Sequence, residues 1–260
     1  MARTFKVGIA AAAAVLGLGA PTATASTLPT SADLRATIDH VIQDAYGQLP
    51  SEVTGAVPRV DDCSNCVALT YDDGPGAETN RLLDTLRNRD AHASFMTVGT
   101  NAAANAGALK RMQAEGHTIG NHTENHPQLS ALDDATIGAE IDQASDTIEH
   151  ATGQRPQWLR PPYGDTADNV SRVAGERGMS LALWSIDTRD WATRDAGATC
   201  QATVDQAQPG AIVLMHDIHA SSVDAANCIL DGLESKGLRA ASLDEMIPDS
   251  RPGVTYTQRG

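Results

Sequence analysis

Residues 67–75 read Val-Ala-Leu-Thr-Tyr-Asp-Asp-Gly-Pro, an apolar run that ends in two adjacent carboxylates and a Gly-Pro pair. The apolar run predicts a buried strand, and the Gly-Pro pair ends the strand and turns the backbone. Side chains alternate along a strand, so Asp72 and Asp73 can face one site only if the backbone leaves the pleat between them. Because two carboxylates in such a place are costly without a cation, this stretch indicates a cation site at a strand end.

A second motif, at residues 122–126, reads His-Thr-Glu-Asn-His. We expect a helical turn here, because histidines four residues apart then face the same side. His122, His126 and Asp73 would form a three-ligand metal site with an open position, and Asp72 would be left over as a base. Zinc suits this ligand set, although cobalt or another divalent ion also fits it. The alternative is a pair of solvent-facing histidines, and the zincin motif is a worse match because Thr follows His122 where that motif needs Glu.

The first residues have the layout of a secretory signal. Arg3 and Lys6 precede an uncharged apolar stretch at 7–20, and small residues at 23–25 form a cleavage site. An uncleaved membrane anchor is the alternative, but the apolar stretch is shorter than the roughly 20 residues that span a bilayer. We therefore expect a secreted protein, extracellular or in the cell wall, that has no membrane attachment after cleavage.

The formal net charge of the 260-residue chain is −14, which argues against a nucleic-acid ligand. It also disfavours a strongly anionic polymer unless the local charge differs from the average. We interpret the acidity as a solubility feature of an exported protein, and we expect a monomer. The four cysteines allow three pairings. Disulfides suit an exported chain, and we expect Cys63–Cys66 and Cys200–Cys228, since the second Cys-x-x-Cys of a zinc knuckle is absent.

From residue 67 onward, strand-like and helix-like stretches alternate, which predicts parallel strands in an α/β fold. Strands are expected at 67–71, 94–98, 117–120, 157–160, 180–186, 211–215 and 239–242. Helices are expected at 79–88, 105–115, 135–152, 166–177 and 223–236. This length, about 180 residues, is small for a regular eight-fold barrel, so we expect a distorted or incomplete (β/α) barrel.

We divide the chain into a signal peptide at 1–25, a leader segment at 26–62, one α/β domain at 63–247 and a tail at 248–260. Candidate polar residues of the domain share one placement, at or just past the predicted C-terminal end of a strand. They are Asp72, Asp73, His122, Arg160, Asp187 and His216. In a parallel barrel these ends gather on one face, which is where such folds place their active sites.

Three further motifs each allow a structural or a functional interpretation. Arg160-Pro161-Pro162-Tyr163 is either a rigid turn with a surface arginine or a turn that projects Arg160 and a backbone N–H into the site. The segment 187–191 is either an acidic loop or a loop whose Trp191 forms a wall for a sugar ring. His216 ends an apolar strand and is interpreted as functional, whereas Asp187 and His219 receive no role.

In this order, the motifs Thr-Tyr-Asp-Asp-Gly-Pro, His-Thr-x-x-His, Arg-Pro-Pro-Tyr, Asp-x-x-Asp-Trp and Leu-x-His resemble the polysaccharide deacetylase (NodB-homology) family, the family-four carbohydrate esterases. The resemblance covers residues 66–247, and its one departure is Tyr71 where Phe is common. It implies a distorted (β/α) barrel and metal-dependent removal of acetyl groups from carbohydrate. By the same resemblance Asp73, His122 and His126 would hold the metal, and Arg160 would orient and charge-balance the base Asp72.

The resemblance implies roles for the remaining motif residues as well. His216 would be the general acid with Asp190 tuning it, and Tyr163 would offer its backbone N–H to the oxyanion. Trp191, with Tyr163 and Pro162, would contact the sugar. The expected substrate is an acetylated polysaccharide or oligosaccharide, with N-acetylglucosamine units of peptidoglycan or chitin first and O-acetylated xylan as the alternative. A non-catalytic carbohydrate-binding protein with the same fold is a hypothesis of a different class.

Overall fold

The computed structural model describes residues 63–259, so the expected signal peptide at 1–25 and leader at 26–62 lie outside the described residues. Nine strands form one sheet. They are β1 (Cys66–Asp72), β2 (Ser94–Thr97), β3 (Thr118–Asn121), β4 (Trp158–Leu159), β5 (Ser180–Ala182), β6 (Ile186–Asp187), β7 (Ile212–His216), β8 (Arg239–Ala241) and β9 (Thr255–Tyr256).

Ten α-helices are described within the same residues, together with 3₁₀ turns at Leu129–Ala131 and Pro162–Gly164. The helices are α1 (Thr79–Asn88), α2 (Gly99–Ala104), α3 (Ala106–Ala114), α4 (Asp134–Thr152), α5 (Asp168–Glu176), α6 (Asp190–Thr193), α7 (Ala196–Gln206), α8 (Ala220–Asp224), α9 (Ala226–Ser235) and α10 (Leu243–Met246).

The named strands pair in parallel, in the order β6-β7-β1-β2-β3-β4-β5-β9, and β8 adds to β1. Only residues 183–185 separate β5 from β6, although these strands lie near opposite ends of that order. The sheet must therefore curl until its two edges approach each other. Gln258, just after β9, forms an antiparallel bridge with Ala211, just before β7. The expected α/β fold with an incomplete (β/α) barrel is confirmed.

The central strand β1 contributes residues both to the core and to the candidate site. All seven of its residues are buried, because helices cover one face and the barrel interior covers the other. Val67, Leu69 and Tyr71 belong to the cluster that packs against the outer helices, whereas Ala68 belongs to the interior cluster. By the period of two, Asp72 lies on the interior face with Ala68.

Several predictions of elements differ from the structure. The stretch 180–186, expected to be one strand, is two short strands, because the chain has to cross from one sheet edge to the other. The expected helix at 223–236 is divided into α8 and α9. Helices α2, α6, α7 and α10 were not predicted. The tail assigned to 248–260 contains β9, which pairs with β5, so the domain continues past residue 247.

Candidate active site

The two carboxylates of the first motif reach one cavity because the backbone changes conformation between them. Asp72 is the last residue of β1, and Asp73 has a left-handed backbone with φ of 71°. A left-handed residue at this point takes the chain out of the pleat, as the sequence required. The Asp72 side chain is buried at the strand end, and Asp73 is half-buried on the turn that follows.

The second motif forms an irregular turn, so the expected helical turn at 122–126 was wrong. His122 follows β3, and Thr123 and His126 both have positive φ, 67° and 59°. Two side chains hold this turn: Asn121 Oδ1 accepts the N–H of Thr123 at 2.7 Å, and Thr123 Oγ1 accepts the N–H of His126 at 3.0 Å. The left-handed residues Thr123 and His126, and not a helical turn, thus bring the two imidazoles together.

Asp73, His122 and His126 offer ligand atoms that all lie within 4.8 Å of one another. Asp73 Oδ1 is 3.5 Å from Nε2 of His122 and 3.4 Å from Nε2 of His126. His122 donates its Nδ1–H to the carbonyl oxygen of Arg160 at 2.6 Å, which leaves the Nε2 lone pair on the ligand side. Burial lowers the pKa of His122, which favours the neutral form that binds metals. The residues therefore fit a divalent ion with nitrogen and oxygen ligands.

Arg160 is a fully buried cation with hydrogen bonds on all three guanidinium nitrogens. Its Nη1 donates to Asp72 Oδ1 and to Thr70 Oγ1, both at 2.7 Å. Its Nε and Nη2 donate to the carbonyl oxygens of Ala182 and Leu183 at 2.8 and 2.9 Å. This bonding holds Asp72 Oδ1, while Oδ2 lies 3.7 Å from Nε2 of a ligand histidine. The pair thus fixes a carboxylate oxygen beside the candidate metal ligands.

His216 lies at the end of β7, opposite Asp72 in the strand register. Asp190 accepts its ring Nδ1–H at 2.9 Å and its backbone N–H at 2.8 Å, and Ser222 donates a further hydrogen bond to the same carboxylate. Burial lowers the pKa of His216, but the hydrogen bond to Asp190 and the negative charges of Asp72, Asp190 and Asp73 outweigh it and raise the pKa above its ordinary value. An imidazole in this setting is suited to carry a proton and donate it from Nε2.

These groups open into one cavity of about 440 Å³. It is lined by Asp72, Asp73, His122, His126, Pro161, Tyr163, Gly164, Trp184, Asp187, Trp191, Leu214 and His216. The side chains of Tyr163 and Trp191 are the exposed aromatics, with 71% and 49% of their surface accessible. Both Pro161 and Pro162 are buried, and of the two Pro161 contributes to the lining of the cavity.

Two lining residues, Trp184 and Leu214, were missed from the sequence. Trp184 lies between β5 and β6, in a stretch expected to be strand, and received no role. Leu214 is buried within β7, where an apolar side chain carries no functional signal. The ring of Trp184 lies 5.7 Å from the Arg160 guanidinium carbon, and such a contact stabilises a buried cation.

The residues without a predicted role lie near the site. Asp187 lines the cavity and its Oδ1 accepts the N–H of Arg189 at 2.9 Å. The ring of His219 is 5.9 Å from that of His216, and its Nδ1 contacts Arg194. The cysteines pair as we expected, Cys63 with Cys66 and Cys200 with Cys228. The second disulfide joins α7 to α9.

A second, more polar cavity of about 470 Å³ lies at the N-terminal ends of β3 and β4, at the opposite end of the strands from the carboxylates. His117 and Trp158 contribute to its walls. None of the site residues predicted from the sequence lines it, so the chemistry is concentrated at the other end of the sheet.

Comparison with known proteins gives one family. A family model described as "Polysaccharide deacetylase" matches residues 59–182. A peptidoglycan-N-acetylglucosamine deacetylase of Listeria monocytogenes, PgdA, is 38% identical over 201 residues, which are 76% of this chain and 42% of that protein. A peptidoglycan-N-acetylglucosamine deacetylase of Bacillus cereus is 34% identical over 190 residues, 71% of this chain and 69% of its own length. The chain thus spans about two fifths of the Listeria relative.

Solved structures agree with this result. "T48 deacetylase with substrate" has a TM-score of 0.72 and 40% identity, and the match covers 75% of this chain and 98% of that one. A structure titled as a family-four pseudoenzyme from Bacillus anthracis has a TM-score of 0.68 and 28% identity, over 72% of this chain and 67% of that one. A deacetylase and a pseudoenzyme thus share the fold, so the fold alone does not establish activity.

Proposed function

Because the chain belongs to the polysaccharide deacetylase family, we propose that it is a metal-dependent hydrolase that removes the N-acetyl group from N-acetylglucosamine units of peptidoglycan or chitin-type glycans. One observation carries the proposal. A single cavity holds a three-ligand set, a carboxylate paired with a buried arginine, and a histidine backed by a buried carboxylate. These are the base, the acid and the metal ligands that amide hydrolysis needs at neutral pH.

Asp73, His122 and His126 would hold the ion, which we propose is zinc, with cobalt as the alternative. When bound, a divalent ion there supplies a Lewis acid that polarises the acetyl carbonyl and acidifies water. The three residues leave open the coordination positions that a catalytic site requires.

Asp72 and His216 would each carry out one proton transfer of the reaction. Asp72, with one oxygen held by Arg160, takes the proton of the attacking water as the new C–O bond forms. His216 then gives its proton to the amide nitrogen, because without that proton the nitrogen would have to leave as an amine anion, which is a poor leaving group. The C–N bond breaks, and acetate and the free amino sugar are the products. Asp190 holds the His216 ring and stabilises its cationic form.

Tyr163 and Trp191 supply the proposed substrate contacts. The backbone N–H of Tyr163, on a left-handed turn with φ of 61°, would donate to the oxyanion of the tetrahedral intermediate. The exposed indole of Trp191 would pack against a sugar ring. The shallow aromatic edge fits a polymer lying across the cavity mouth better than a small molecule enclosed by it.

We further propose that the protein acts outside the cell or in the cell wall, as a monomer. The signal layout at residues 1–25 supports export, and relatives named for peptidoglycan have their substrate there. Among the helices of residues 63–259, none is both long and apolar enough to span a bilayer.

The competing hypotheses are an O-acetyl xylan esterase with the same site and a carbohydrate-binding protein without activity. Acetate release by the purified chain from chitooligosaccharides, peptidoglycan and acetylated xylan separates them, with the Asp72→Asn variant as the matched control. We expect release, with new free amines, from the amide substrates. Release from xylan alone would make the protein an O-acetyl esterase, and no release from any of the three despite bound metal would make it a binding protein.

A further inference from the structure

The metal ligands come from two turns that are far apart in the sequence. We call residues 73–75 the Asp turn and residues 122–126 the His turn. The loop–helix junction at residues 98–101, the start of α2, lies between them and is here called the bridge. No residue of the bridge belongs to the motifs or lines the catalytic cavity, yet it contacts both turns through their backbone carbonyls.

On one side, the bridge binds the Asp turn. Asn101 donates a side-chain hydrogen bond from Nδ2 to the carbonyl oxygen of Asp73 at 2.8 Å, and Val98 donates its backbone N–H to the carbonyl oxygen of Gly74 at 3.1 Å. The acceptor of the first bond is the backbone carbonyl of Asp73, the proposed metal ligand itself. Asp73 has a left-handed backbone, which favours glycine, so its conformation needs support from its surroundings.

On the other side, the bridge binds the His turn. The N–H of Gly99 donates to the carbonyl oxygen of Thr123 at 2.9 Å, and the N–H of Thr100 donates to that of Glu124 at 3.3 Å. The Glu124 side chain packs against Gly99 so closely that a Cβ there would lie 1.9 Å from Oε2. The same Cβ would lie 3.0 Å from the backbone Cα of Ala144, so any larger residue at position 99 would have to displace the Glu124 carboxylate from the bridge.

These bonds replace the usual cap of a helix. The first N–H groups of any α-helix lack intrahelical acceptors, and α2 has no side-chain cap at Val98. The carbonyls of the two turns accept these N–H groups instead. Because the same short segment satisfies acceptors on both turns, a shift of either turn breaks hydrogen bonds at the bridge. The bridge therefore couples the position of Asp73 to that of the histidine ligands.

We propose that Asn101 is a positioning residue for the metal site: with the backbone of the bridge, its amide sets the distance between Asp73 and the His122–His126 pair and thereby the affinity for the divalent ion. Outer groups that orient metal ligands commonly change affinity by about 10–100-fold when removed. Asn101 acts on the ligand backbone and touches neither substrate nor ion, so its effect is expected in metal binding.

The test is zinc affinity of the full chain, freed of metal and titrated with zinc against a competing chelator, with thermal unfolding of the metal-free protein measured in parallel. Asn101→Ala is expected to weaken zinc binding about 10-fold. The matched control is Asn105→Ala, at the C-terminal end of α2. Its amide bonds the carbonyl of Pro75, two residues past the ligand, and the carbonyl of Asn101, both at 3.2 Å. We expect Asn105→Ala to stay within about twofold of the parent chain, below the range for groups that orient ligands.

A second variant, Asn101→Asp, fills the same space and guards against a folding defect of the alanine variant. An added carboxylate near a cation strengthens binding by simple Coulomb attraction, whereas loss of the amide donor weakens it by freeing the Asp turn. Weaker zinc binding in Asn101→Asp supports the positioning role. Unchanged or stronger binding, or an equal loss in Asn105→Ala, would overturn it. A parent chain that binds no zinc would instead refute the metal-dependent function.

Discussion

Asp72 and Asp73 are neighbours in sequence with different surroundings, and the structure explains the difference by one backbone torsion. Asp72 ends β1 in the pleat and pairs with Arg160, whereas Asp73 turns out of the strand toward His122 and His126. The proposed division between a base, Asp72, and a metal ligand, Asp73, thus has a geometric basis. It leads to different expectations for substitutions one residue apart.

Asp72→Asn is expected to retain bound zinc and to lower turnover by about 10²–10⁴-fold, because it removes the proton acceptor while leaving the ligand set intact. Asp73→Ala is expected to lose zinc and turnover together, since one of three ligands is gone. Bound zinc by elemental analysis and acetate release on chitooligosaccharides measure both quantities. Equal zinc loss in the two variants would contradict the separation of roles.

The pH profile tests the pairing of His216 with Asp190. Because the hydrogen bond and the surrounding negative charges raise the pKa of His216, the imidazole stays protonated to higher pH, and activity should fall as pH rises through that raised pKa. Asp190→Asn removes one charge and the charged acceptor, so the pKa of His216 falls and the alkaline limb of kcat/KM moves to lower pH. Asp187→Asn, at the cavity edge but without a bond to His216, is the control. An unmoved alkaline limb in Asp190→Asn would remove Asp190 from the tuning of the acid.

At the scale of elements, long periodic stretches were predictable and short ones were not. Helix α1 begins and ends at the expected residues, because its leucines recur at helical spacing. Helix α7 contains one glycine and three β-branched residues of low helix propensity beside its three alanines, and its disulfide to α9 and its packing add to its stability. Its N-cap, Asp195, was the one local signal that could have indicated it. Strand β9 has two residues, too few for any period.

The His turn shows why the site was easier to predict than its local structure. Ligand identity depends on side-chain chemistry, which the residues carry directly. The path of the turn depends on Asn121 and Thr123, whose side chains satisfy backbone N–H groups and compete with helical hydrogen bonds. A spacing of four residues between the two histidines fits a helix and also a turn with left-handed residues. The sequence alone could not distinguish these two structures.

At the start of β3, His117 is expected to make the fold sensitive to acid. Burial lowers its pKa from 6.5 to about 4, and its Nδ1 accepts the N–H of Ala93 at 3.2 Å. Between those pH values the unfolded chain binds a proton that the folded chain does not, so the free energy of unfolding falls as the pH is lowered, by up to about 3 kcal/mol. His117→Asn keeps an acceptor for Ala93 and should reduce this loss.

Urea unfolding at pH 7 and pH 4.5 measures the effect, and His150→Asn, at an exposed position of α4, is the matched control. The difference in unfolding free energy between the two pH values should shrink in His117→Asn and stay unchanged in His150→Asn. The same loss in all three proteins would show that His117 is not the group responsible.

At the scale of the whole molecule, the curled parallel sheet explains how five motifs spread from residue 70 to residue 216 form one cavity. The carboxyl ends of β1, β3, β4, β6 and β7 lie on one face, and each carries a motif residue at or just past its end. This placement was predictable because it needs only strand ends and parallel pairing. The closing contact between the sheet edges was not, since Ala211 and Gln258 carry no signal for it.

We propose that this cavity is a metal-dependent deacetylase site, and acetate release from chitooligosaccharides before and after metal removal is the decisive test. Chelation of the purified full chain should abolish release, and added zinc should restore it in the parent chain but not in Asp73→Ala. Release that persists after complete removal of metal would contradict the metal dependence of the site. Release that zinc restores equally in Asp73→Ala would contradict the role of Asp73 as a metal ligand.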